Sequence, residues 1–114
     1  MSQTFISNIT IYTGTDFTQT FVLEDTQTNS IMDLTGYTGC AQIKKFQSAT
    51  KTAEFNVFLA NDPTTGRVSI EMLSSTTTNL KPGKYLYDLL LNSPKGKTTR
   101  VVEGTAFIKK TVTR

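Results

Sequence analysis

The chain has 114 residues, a net charge of +3, a single cysteine and no histidine. That bounds it to one domain around one core and excludes an intrachain disulfide, imidazole acid–base catalysis and a cysteine–histidine zinc cluster. Threonine supplies about one residue in five, with Phe, Tyr, Val and Ile spread throughout, a composition that suits pleated sheets better than helices. The opening Met-Ser-Gln-Thr-Phe-Ile lacks the charged region and apolar run of a signal peptide, and no stretch approaches the roughly 20 apolar residues of a membrane span. The expectation is a chain made and folded in a cytosol.

Alternation then predicts the strands in order. Residues 8–12 place Ile9 and Ile11 on one side and Thr10 and Tyr12 on the other, and Gly14 and Asp16 end that strand. A second strand from Phe17 buries Phe17, Gln19, Phe21 and Leu23 and stops at Glu24-Asp25. Residues 31–34 are a short apolar piece, and Gly36 and Gly39 bracket Tyr37 where a bend or bulge is expected. The strand over 40–46 points Ala41 and Ile43 inward and Gln42 and Lys44 outward, and Cys40 reads as a small buried hydrophobe. Residues 47–52 form a small polar, basic loop, the expected mobile tip.

Phe55, Val57 and Leu59 mark the next half-buried strand. Asp62-Pro63-Thr64-Thr65-Gly66 turns it into the alternation of Val68, Ile70 and Met72, a hairpin. Residues 74–79 are hydroxyl and amide side chains that compete with sheet ladders, so one helical turn is predicted there. Pro82-Gly83 ends it. The strand that follows carries Tyr85, Tyr87, Leu89 and Leu91 on one face and Leu86, Asp88 and Leu90 on the other, and apolar weight on both faces places it in the middle of a sheet. Tyr85, just past a Leu-x-x-Gly turn, suits a tyrosine corner, its ring inward and its hydroxyl on turn backbone. Ser93-Pro94-Lys95-Gly96 is a tight turn, and the last strand, 98–109, is expected to bulge or bend at Gly104.

Seven to eight short strands at roughly 8 to 12 residue spacing predict an all-β fold, a single immunoglobulin-like antiparallel β-sandwich spanning residues 1–114. Chemistry is sparse. No glycine-rich phosphate loop follows a strand, and the carboxylate pairs Asp16 with Asp25 and Asp33 with Asp88 read as solvated or turn-capping acids. No cofactor or metal set is present in the sequence, which points away from an enzyme.

Surfaces say more. Residues 1–80 hold four basic and seven acidic side chains and residues 81–114 eight basic and two acidic, an asymmetry open to an anionic partner, a neighbouring acidic subunit or simply solvated strand faces. Lys44, Lys45, Lys81, Lys84, Lys109 and Lys110 lack the interleaved aromatics of a nucleic-acid platform, Phe107 aside. Phe58, Leu86, Leu90 and Phe107 fall opposite the core positions of their strands. The candidate contact residues are therefore Leu86, Leu90 and Phe107, rimmed by Lys84, Lys109 and Lys110.

An ordered set of short motifs runs through nearly the whole chain: Gly14-Thr15-Asp16-Phe17, Asp33-Leu34-Thr35-Gly36-Tyr37, Ala41-Gln42-Ile43-Lys44-Lys45, Leu80-x-Pro82-Gly83-x-Tyr85-x-Tyr87-Asp88, Glu103-Gly104-Thr105 and the closing Val112-Thr113-Arg114. It resembles small immunoglobulin-like virion proteins of tailed bacteriophages and, more distantly, the N-terminal domain of phage baseplate upper proteins. The resemblance implies a structural protein of the particle, in tail or baseplate or decorating the head, binding other virion proteins or copies of itself, with no catalytic residues. The competing expectation is a stand-alone adhesion or carbohydrate-binding sandwich. Such modules present exposed aromatic platforms, whereas this chain has no Trp and mostly core-like Tyr.

Overall fold

The computed structural model describes residues 5–25, 30–45 and 51–112. Its strands are β1 (Phe5–Ile6), β2 (Ile9–Tyr12), β3 (Phe17–Val22), β4 (Glu24–Asp25), β5 (Ser30–Ile31), β6 (Thr38–Lys44), β7 (Lys51–Leu59), β8 (Arg67–Met72), β9 (Gly83–Asn92) and β10 (Thr98–Lys109), with one helical turn, α1 (Ser74–Thr77). The all-β expectation holds. Eight strands join into one continuous sheet in the order β1-β10-β9-β6-β7-β8-β3, with β2 also on β10, and β4 and β5 pair separately.

That sheet folds over on itself through β7. Its residues 51–55 pair with β6, whereas residues 56–59 pair with β8, so one long strand carries the chain from a front layer to a back layer. Between the layers a ring chain runs from Phe17 of β3 to Phe55 of β7 at 6.0 Å and on to Tyr87 of β9 at 6.2 Å. Around it one core takes Ile9, Ile11, Ile43, Leu89, Leu91 and Ile108 from the front and Phe21, Val68, Ile70 and Met72 from the back. The pairing is mixed and departs from the purely antiparallel expectation: β1 and β2 both run parallel to β10. They cover the edge of β10 that would otherwise offer unpaired backbone.

Local chemistry explains the joints. In α1 the first turn is capped from a distance, since Asp16 accepts the Ser74 backbone N–H at 2.7 Å and the fully buried Thr77 hydroxyl donates to the Thr15 carbonyl at 2.8 Å. Past it, the Tyr85 hydroxyl donates to the Lys81 carbonyl at 2.8 Å while its ring is buried, which is the tyrosine corner. Lys45 lies 4.8 Å over that ring.

Two expectations are corrected. Cys40 is exposed, because Ala41 and Ile43 take the inward positions of β6 and the period of two turns Cys40 outward. The irregularity of β10 lies between Arg100 and Val102, not at Gly104, and it lets Val101 and Val102 both enter the core. Gly104 sits in regular register for a different reason. The Ser7 carbonyl, between β1 and β2, rests where its side chain would be, so any β-carbon there would overlap backbone. The predicted loop over 47–52 lies largely outside the described residues, and its last two positions belong to β7.

Candidate interaction face

The front layer has one face on the core and one on solvent, and register defines the outer one. Across β10, β9 and β6 the outward residues form three rows: Thr105, Leu86 and Lys44; Glu103, Asp88 and Gln42; Arg100, Leu90 and Cys40. The middle row extends to Glu54 on β7. One step beyond the first row, Phe107 stands opposite Lys84, with Thr10 of β2 alongside.

Most of the predicted contact residues are thus brought together. Leu86 is 42% exposed and Phe107 36%, Leu90 is half-buried, and Lys84 and Lys109 are exposed at the Phe107 end. Lys110 lies past the last residue of β10 and is exposed. Phe58 is elsewhere. It is exposed on the back layer, opposite Ser69, whose hydroxyl bonds that of Thr20 on β3.

A shallow groove of about 490 Å³ crosses this face, lined among others by Ile6, Gln42, Leu86, Asp88, Leu90 and Glu103. Its charges are unequally satisfied. Arg100 pairs with Glu103 at 2.9 Å, while the carboxylate of Asp88, half-buried and directly opposite Glu103, has no ion pair or hydrogen bond with any described residue. Two carboxylates directly opposite on neighbouring strands repel. Below the groove, the Tyr87 hydroxyl donates to the Ser7 carbonyl at 2.5 Å, and burial pushes its pKa up, partly offset by that bond.

Ile6, Glu103 and Arg100 were not placed on this face from sequence, whereas Gln42 was read as outward on its strand. Asp88 was legible as a member of this face from its place between Leu86 and Leu90, but its neighbours depend on the β10 register, which the irregularity at Val101 resets. Two of the other acids considered for pairing serve turns, Asp33 its own and Asp16 a distant one. Asp33 accepts the Thr35 N–H at 3.0 Å and its hydroxyl at 2.6 Å, and the hydroxyl first, then the N–H, holds its carboxyl below the usual range. Asp16 caps α1. Among the described residues, no three His, Cys, Asp or Glu side chains gather as a metal site.

No protein-family model matches the chain, and none of the curated proteins does. Among solved structures it is similar to an internalin-like protein of Listeria monocytogenes, with a TM-score of 0.43 and 14% identity over 95% of this chain and 28% of that one. It is also similar to a family 123 glycoside hydrolase from Clostridium perfringens, solved in a study of glycolipid glycan hydrolysis, with a TM-score of 0.47 and 11% identity over 96% of this chain and 24% of that one. The chain spans about a quarter of each, and likeness at this level carries no functional argument.

Proposed function

We propose that this chain is a non-enzymatic structural protein of a tailed bacteriophage particle, a tail or baseplate component or a head decoration, made in the host cytoplasm and acting through contacts with other virion proteins. Besides the ordered motif resemblance, the observation that carries the reading is the outer face of the front layer, where Leu86 and Phe107 stand exposed beside Leu90 and Ile6. Exposed apolar side chains on either side of the charged Glu103–Asp88 row, on a sheet face that no other layer of the described residues covers, suit a protein contact. The rim lysines Lys84 and Lys109 set approach and register more than affinity.

The adhesion or carbohydrate reading has one observation in its favour, the groove with its unpaired Asp88 and the half-buried amide of Gln42. Among the described residues that line the groove, Tyr87 is the one aromatic and is buried, so they offer no platform for a sugar ring to stack on. Immunoblotting and intact-mass spectrometry of density-purified particles should find the chain at fixed stoichiometry. Its absence from particles, together with reproducible binding on a glycan array, would reverse the order of the two readings.

A further inference from the structure

Along β9 the outward residues read Lys84, Leu86, Asp88, Leu90, so one cation and one anion stand equally far to either side of Leu86, about 7 Å each way by the ordinary strand rise. Both charges lack a protein partner among the described residues, and Asp88 is further burdened by Glu103 directly opposite. A surface with this arrangement is complementary to itself under a two-fold rotation. From this we propose that the front face binds a second copy of the same chain. The two-fold axis passes over Leu86, β9 runs antiparallel to its counterpart, and Lys84 of each copy sits over Asp88 of the other.

The rest of the face fits this arrangement. The incoming ammonium enters between Asp88 and Glu103 and relieves the repulsion of that carboxylate pair. Leu86 meets its own copy on the axis, and Phe107, level with Lys84, comes over the Glu103–Arg100 pair at the level of Asp88. Lys44, level with Leu86 on β6, faces its own copy, a like-charge contact that weakens the dimer. With the axis over Leu86, residues 83–89 of β9 lie over 89–83 of the copy and β6 reaches the axis only at Lys44, so two to three strands at about 4.8 Å and seven residues at about 3.4 Å give roughly 300 Å² a side. That is short of the roughly 800 Å² of a standard interface, so the association is weak, micromolar or above.

The pairing rests on the assembly reading but is tested on the purified chain alone, by sedimentation velocity from about 1 to about 500 µM, with thermal melts to check that each variant folds. The wild type should dimerise over this range, less so at high salt. Lys84→Asp alone and Asp88→Lys alone should each weaken the dimer by about tenfold or more, and the double variant Lys84→Asp/Asp88→Lys, which restores complementarity with signs exchanged, should recover it. Lys44→Gln should tighten it. A wild type that stays monomeric throughout, single variants that associate like wild type, or a folded double variant that stays apart would each overturn the pairing. A chain present in particles yet monomeric in solution refutes the pairing and leaves the virion reading standing. A dimer absent from particles does the reverse.

Discussion

The two faces of β9 are made by the same ten residues and live in different solvents. Tyr85, Tyr87, Leu89 and Leu91 point into the core and are at most 5% exposed, whereas Lys84 and Leu86 are exposed and Asp88 and Leu90 half-buried. Apolar side chains alone do not distinguish them, since leucines occupy both. The difference lies in what covers each face. The inner one is closed by the back layer, whose Phe17 meets Phe55 and through it Tyr87, and the outer one has no covering layer among the described residues. Inner residues therefore hold stability and outer residues are free for contact.

That contrast is sharpest at the corner. Tyr85→Ala should lower unfolding free energy by about 3 to 5 kcal/mol in denaturant titration, the usual cost of deleting a buried ring, while Tyr85→Phe, which only unpairs the Lys81 carbonyl, should cost about 1 kcal/mol. An unchanged midpoint for Tyr85→Ala would mean the inner face is not what holds the sheet. Next comes Gly104→Ala. With the Ser7 carbonyl in the way, it should cost about 1 to 3 kcal/mol and speed amide exchange at Ser7, whose N–H bonds the Glu103 carbonyl.

A smaller effect is read by pH. Burial raises the Tyr87 hydroxyl above its ordinary value, so the folded chain keeps the neutral phenol while the unfolded chain ionises near pH 10. The stability linked to this group is complete below about pH 10 and is lost as pH rises through the raised folded value. Melts taken from about pH 9 to about pH 12 should fall off less steeply for Tyr87→Phe than for wild type. Equal slopes would remove Tyr87 from the alkaline response.

Much of this was legible in the sequence because period-two alternation and turn residues are local signals. The strands of β2, β3, β7, β8 and β9, the turn at α1 and the Tyr85 corner all follow from neighbours within a few positions. What escaped was set over long distances. Asp16 caps a helical turn 58 residues away, the Ser7 carbonyl claims the space above Gly104, and β1 and β2 run parallel to a strand at the other end of the chain. Cys40 misled by its residue type, although the inward placing of Ala41 and Ile43 already implied that it faces out. The contact face was half visible: Leu86, Leu90 and Phe107 followed from alternation, but Asp88 facing Glu103 required the register that Val101 shifts.

The double variant Leu86→Ser/Leu90→Ser, followed by denaturant unfolding at fixed protein concentration, separates the two faces of β9 most directly. Because Leu86 is exposed and Leu90 only half-buried on a face that no layer covers, the variant should remain folded and lie within about 1 kcal/mol of wild type. A loss of about 4 kcal/mol or more, the scale of core leucines, would show that these side chains belong to the interior and that the outer face of β9 is not a contact surface.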